Sequence, residues 1–192
     1  MTGPALRLFV AVSVPRHLLE ELAAATEELR PLLPGGRWSP TANQHVTLKF
    51  LGWSPPHGLD GIGAAVSGVC ATRVPVQMCI AGLGTFPSRR RARVLWAGLE
   101  DDDGLLGDLA AGLDEALVPL GFEPESRAFT PHLTLARWRT PISLQAPLPE
   151  LPARVSERFW VTEVELFRSH LNPKGARYEV LSSYPLAAGG SQ

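Results

Sequence analysis

The 192-residue chain is poor in cysteine, lysine and long apolar runs, and each shortage removes a class of protein. Its two cysteines, Cys70 and Cys79, cannot build a disulfide framework or fill a four-ligand zinc site. They read as small apolar residues of the interior, which points weakly to a reducing compartment. No window approaches the roughly 18 apolar residues of a membrane-spanning helix. The apolar run Leu8 to Val12 follows Arg7, as in a signal peptide, but Pro15-Arg16-His17 stands where a small-residue cleavage site is needed. A cytoplasmic protein is therefore expected. The formal net charge of −1 offers no global positive field to a polyanion. Gly82-Leu83-Gly84 and Gly61-Ile62-Gly63 are not completed into nucleotide-binding fingerprints, and no Gly-x-Ser-x-Gly elbow occurs.

What remains is an ordinary globular balance, 45% hydrophobic and 19% charged. All the basic residues except Lys49 and Lys174 are arginine. Arginine is the better fork for phosphate oxygens, although a GC-rich coding bias would give the same excess. Periodicity predicts strands over 6–12, 44–51, 74–83, 92–99, 132–137, 158–168 and 176–182. Helices are predicted over 16–30, 59–71 and 104–118, the last opened by Asp101-Asp102-Asp103. The strict βαβ alternation of a doubly wound sheet is missing, so the expected class is α+β with antiparallel sheets. No linker divides the chain, which reads as a single two-lobed domain, 1–192, with a frayed tail over 187–192.

The most informative feature is a repeated tetrapeptide. His45-Val46-Thr47-Leu48 returns as His132-Leu133-Thr134-Leu135. Two such hits among five histidines are expected by chance in well under about 1% of chains of this composition. On a strand, His45 and Thr47 share one face while Val46 and Leu48 take the other. The same holds for His132 and Thr134 against Leu133 and Leu135. If the lobes face each other, two imidazoles and two hydroxyls converge in one cleft.

That quartet suits phosphoryl chemistry. With reference pKa values near 6.5, one imidazole can be neutral and take a proton from water while the other is charged and gives one to the leaving oxygen. The Thr hydroxyls can donate to non-bridging oxygens. A metal site is the competing reading of two histidines, but the motif offers no third protein ligand. No metal or other cofactor is expected.

At these residues the sequence resembles the two-histidine phosphoesterase superfamily, and within it the RNA 2′,3′-cyclic phosphodiesterases once named 2′-5′ RNA ligases. The likeness covers about residues 6 to 186. It includes the opening strand Arg7-Leu8-Phe9-Val10-Ala11-Val12, Trp38 before the first motif, and Lys49-Phe50-Leu51-Gly52 after it. It continues through Arg93-Val94-Leu95-Trp96-Ala97-Gly98-Leu99, Phe129-Thr130-Pro131 and Ala136-Arg137. Leu166-Phe167-Arg168-Ser169, Gly175, Tyr178 and Pro185-Leu186 complete it. Val46 stands where leucine is common, and Arg89-Arg90-Arg91 is more basic than the pattern requires. The resemblance implies two antiparallel sheets lining a V-shaped cleft, with helices outside. It also implies metal-independent hydrolysis of a terminal 2′,3′-cyclic phosphate to a 2′-phosphomonoester. By carry-over, His45 is the proton donor and His132 the acceptor, and Thr47 and Thr134 hold phosphate oxygens.

The remaining candidates are weaker. Arg89, Arg90, Arg91 and Arg93 form the densest basic cluster and are candidate RNA contacts, with a solvated loop as the plain alternative. Phe50, Trp38 and Trp138 can stack a base, although core packing is the default for such residues. Arg137 falls on the Leu parity and should point away from the cleft unless strand-end twist redirects it. His17, His57 and His170 lack the motif and read as surface residues. The expected partner is RNA with a cyclic phosphate end, met by a monomer with no membrane attachment. The rival readings are an RNA-binding module without turnover, and an enzyme whose main role is 2′-5′ joining or hydrolysis of small cyclic nucleotides.

Overall fold

The computed structural model describes residues 3–144, 147–152, 155, 157–172 and 175–188. The chain runs β1 (Leu6–Val12), α1 (Arg16–Ala25), α2 (Leu29–Leu32), β2 (Arg37–Trp38), β3 (Val46–Ser54) and α3 (Leu59–Cys70). It continues with β4 (Val76–Phe86), β5 (Ala92–Glu100), α4 (Leu105–Leu117) and β6 (His132–Ile142). It closes with β7 (Phe159–Val161), β8 (Glu163–Asn172) and β9 (Gly175–Pro185). Among the described residues, no helix is long and apolar enough to cross a membrane.

All the strand pairings are antiparallel, in the order β7-β4-β5-β6-β3-β1-β8-β9, with β2 added beside β6. The expected α+β class stands. The two lobes are the halves of this order, and they meet through a seam one residue pair wide, Val46 with Leu133. The middle residues of the repeated tetrapeptides are thus the joint between the lobes.

One face of the sheet carries the main core. Leu8, Val10, Val12, Val46, Leu48, Leu133 and Leu135 pack there with Leu18 and Leu22 of α1, Ile62 and Val66 of α3, and Leu109 and Leu113 of α4. Helix α3 contains Gly61, Gly63 and Gly68, each costing about 1 kcal/mol relative to alanine. Burial of Ile62 and Val66, at about 1.5–3 kcal/mol each, offsets that loss. Gly63 also makes room for a neighbour, since a Cβ there would lie 2.9 Å from the Tyr184 hydroxyl of β9. On the other face a smaller cluster of Phe9, Ala11 and Phe167, with Tyr178 against it, floors the cleft. Strand β1 is therefore buried on both sides, which explains its nearly unbroken apolar run.

Three expectations need correction, and one element was not expected. The helix over 16–30 stops at Ala25: the Thr26 hydroxyl shares the Leu22 carbonyl with its own amide, and the next amide turns to a tighter bond, Glu27 to the Ala24 carbonyl at 3.3 Å. The strand over 158–168 is two strands. Between them, around Thr162, the chain leaves β4 at one end of the sheet for β1 in the other half. Strand β2 was not foreseen, being only two residues long. The tail is not frayed from its start, since the Ala187 amide donates to the Arg73 carbonyl at 2.8 Å. Positions 189–192 lie outside the described residues.

Lys49 supplies a mechanical link between the first motif strand and the outer helices. Its buried ammonium is paired with Asp114 of α4 and donates to the Glu123 carbonyl at 2.5 Å. Burial pushes the Asp114 carboxyl up, but the hydrogen bonds from Lys49 and the Glu125 amide, with the Lys49 charge, together hold it below its ordinary range. Asp114→Ala leaves the ammonium with one carbonyl. Because Asp114 is partly exposed, the expected loss is about 1–3 kcal/mol, under the range for a fully buried pair. Urea midpoints measured against the parent protein check this, and an unchanged midpoint contradicts it.

Candidate active site

The two motifs start at the seam. The antiparallel register through Val46 and Leu133 sets His45 across from Thr134 and Thr47 across from His132. All four side chains line one cleft of about 610 Å³, within the usual range for a small-ligand site. The convergence expected from the repeat is therefore present.

Each imidazole is tethered in the same way. His45 Nδ1 lies 3.0 Å from the Asn43 carbonyl, and His132 Nδ1 lies 2.7 Å from the Thr130 carbonyl. A carbonyl only accepts, so both Nδ1 atoms carry hydrogen. In the neutral tautomer each Nε2 then keeps a free lone pair. His45 stacks on Phe9 at 4.6 Å between ring centroids, with the Tyr178 ring edge-on at 5.0 Å. His132 meets Phe86 edge-on at 5.0 Å, and Trp96 lies beyond at 6.2 Å. Trp96 fits because residue 84 is glycine, whose Cβ would otherwise sit 2.1 Å from the indole.

Burial and charge act on both imidazoles. Desolvation pulls His45 down to about 4, the Asn43 carbonyl opposes this, and Arg137 and His132 lower it further. Desolvation also lowers His132, opposed by the Thr130 carbonyl and aided by Arg137. Near neutral pH both are therefore uncharged in the protein by itself.

The departure from simple alternation lies just after each tetrapeptide. On β3 the pairing steps from Val10–Lys49 to Ala11–Thr47, leaving Leu48 as an extra residue. On β6 it steps from Leu95–Ala136 to Trp96–Thr134, leaving Leu135 extra. Both motif leucines are thus β-bulges, and the second has its carbonyl satisfied by the Ser39 amide at 2.8 Å. Each bulge resets the parity, so the residue five after each histidine returns to the cleft side. Those residues are Phe50 and Arg137, and both line the cleft. Alternation alone had aimed Arg137 away. Its Nη2 in fact donates to Thr134 Oγ1 at 3.1 Å.

Sequence reasoning missed several residues that line the cleft. Arg37 comes in on β2, paired directly with Arg137. Two like charges opposite each other are unfavourable unless an anion lies between them. Arg7 of β1, Asn43, Gln44, Asn172 and Tyr178 also line the cleft, and among the described residues no carboxylate does. The chain of net charge −1 therefore concentrates positive potential in this depression. Arg89, Arg90, Arg91 and Arg93 are outside this lining. The first three form an exposed turn, and Arg93 donates to the Arg139 carbonyl at 2.6 Å. Trp38 lines the cleft edge with Arg30 stacked on it at 4.9 Å, whereas Trp138 is core and donates to the Pro34 carbonyl. His17 and His57 are exposed, and His170 pairs with Glu179 at 2.6 Å.

The 2′-5′ RNA ligase superfamily model matches residues 14–173, and the chain belongs to this superfamily. An Archaeoglobus fulgidus protein named RNA 2′,3′-cyclic phosphodiesterase is 34% identical over 92% of the chain and 98% of its own length. A Geobacillus stearothermophilus protein of the same name is 33% identical over 93% of the chain, which spans only 56% of that relative. A crystal structure of a Thermus thermophilus protein superposes with a TM-score of 0.78 at 31% identity, covering 95% of this chain and 99% of that one.

Proposed function

We propose that the protein is an RNA 2′,3′-cyclic phosphodiesterase, in which His45 and His132 carry the proton transfers and no metal takes part. The observation that carries this reading is the pair of Nδ1-tethered imidazoles, each with its Thr, in one carboxylate-free cleft. The names of the Archaeoglobus and Geobacillus relatives supply the substrate class.

Each tether fixes a tautomer that leaves Nε2 for the chemistry. Neutral His132 takes a proton from water as the water oxygen bonds to phosphorus. The bond from phosphorus to the ribose 3′-oxygen breaks in line, and His45 gives that oxygen its proton. Water and a cyclic diester monoanion thereby become a 2′-phosphomonoester and a free 3′-hydroxyl. Arg137 already donates to Thr134 Oγ1, so the Thr134 hydroxyl proton is available to a non-bridging oxygen. Thr47 serves the opposite side, and the Arg137 guanidinium balances developing charge. The phosphodiester anion favours the protonated imidazole that burial disfavours. The expected state is a monomer and the expected location the cytoplasm.

An oligonucleotide ending in a 2′,3′-cyclic phosphate, incubated with the protein in excess chelator, is expected to yield a 2′-phosphate at an undiminished rate. A 3′-phosphate product, or activity lost in chelator and regained with a divalent ion, overturns the scheme.

A further inference from the structure

The cleft face of β3 does not end at Phe50. After it the strand bulges a second time, with pairing stepping from Phe9–Phe50 to Leu8–Gly52 and leaving Leu51 extra. Gly52 adopts φ +70°, a left-handed conformation that favours glycine. Unbroken alternation from Phe50 would send the next-but-two side chain, Trp53, to the core. The bulge instead sets Trp53 directly opposite Arg7, on the cleft side. Trp53 is 66% exposed and Phe50 57%, while Ser54 and Leu6, paired behind them, are buried. Arg7 itself lines the cleft, and its guanidinium donates to the buried Ser169 hydroxyl at 3.2 Å. An ordered cation thus lies one strand over from an uncovered indole, which is at most about 10 Å along β3 from Phe50.

We propose that Trp53, beside Arg7, is a stacking platform for single-stranded RNA on the 5′ side of the cyclic phosphate. This rests on the phosphodiesterase reading of the cleft, and it extends that cleft by a subsite. An RNA end held by its terminal phosphate must send its 5′ chain out of the pocket. The Arg7–Trp53 pair offers the two contacts that unpaired RNA uses without regard to sequence: a fixed cation for a backbone phosphate and a π-face for a base. Arg7 belongs both to this pair and to the cleft lining, where no carboxylate is found among the described residues. The fit is to RNA longer than a nucleotide, because a mononucleotide seated at the histidines ends before reaching Trp53.

The test is binding and kinetics of Trp53→Ala and Trp53→Phe. A labelled tetranucleotide bearing a 2′-phosphate end is expected to bind Trp53→Ala about fivefold or more weakly, the lower end of measured base–aromatic stacking. Trp53→Phe is expected to regain most of the affinity. The kcat/KM for an oligonucleotide cyclic phosphate should fall by a similar factor in Trp53→Ala, through KM, while that for a mononucleotide cyclic phosphate stays unchanged. Unaltered oligonucleotide binding overturns the proposal, and so does an equal fall for both substrates. If Trp53→Ala loses affinity as expected but the parent protein hydrolyses no cyclic phosphate, the platform stands and the phosphodiesterase reading fails.

Discussion

His132→Ala is expected to lower kcat on an RNA 2′,3′-cyclic phosphate by about 10²–10⁴-fold, the usual contribution of a positioned general base. His45→Ala should lose a comparable factor on the same substrate. The two separate when the ribose 3′-oxygen is replaced by an activated aryl oxide, which departs without needing a proton. His45→Ala should then recover most of its rate, and His132→Ala should recover none, because water must still be deprotonated. The reverse rescue exchanges the two roles. Failure of either single variant to slow the natural reaction removes that histidine from the mechanism. Affinity for a 2′-phosphate oligonucleotide is expected to survive both changes, since Arg7, Arg37 and Arg137 remain in the cleft. A plain RNA-binding module shows no such split between turnover and affinity.

The second large effect is on pH dependence. The reactive form of the free protein holds one proton between the two imidazoles. Desolvation places both below their ordinary value, His45 at about 4. For a group lowered in this way, the protonated form is scarce above pH 6.5. The kcat/KM profile should therefore peak on the acid side of about pH 6.5 and fall about tenfold per unit above its upper limb. In the complex the phosphodiester anion favours the imidazolium, so the kcat profile should lie at higher pH than the kcat/KM profile. The limbs belong to the coupled pair rather than to either residue alone. Rates measured from about pH 4 to about pH 9 decide it. A kcat/KM profile flat through neutral pH contradicts the assignment.

The sequence made the candidate quartet legible because period-2 geometry acts within a few residues. The alternation that sets Thr47 beside His45 and Thr134 beside His132 is written locally, and the repeat itself signals that the two strands meet. The residues that escaped depend on pairings made far along the chain. Arg37 reaches the cleft because a two-residue strand docks on β6, about a hundred residues later. Asn172 and Tyr178 line it because the β8–β9 hairpin folds back onto β1. Arg137 was visible but misdirected, since a bulge depends on the register of two strands and leaves no mark on the hydrophobic pattern of one. The division of 158–168 failed for a related reason: β7 and β8 are nearly contiguous in sequence yet belong to opposite halves of the sheet.

The narrow seam has one more consequence. With Val46 and Leu133 paired and a matching tetrapeptide and bulge on either side, the cleft is close to a pseudo-twofold dimer written in one chain. Its substrate has no such equivalence, because one ester oxygen leaves and the other stays. Direction must therefore come from residues that break the duplication. Phe50 stands where its counterpart is Arg137, and His45 rests on Phe9 and Tyr178 where His132 rests on Phe86 and Trp96. On the proposed mechanism the repeat builds two proton stations, and these mismatched neighbours give them a polarity.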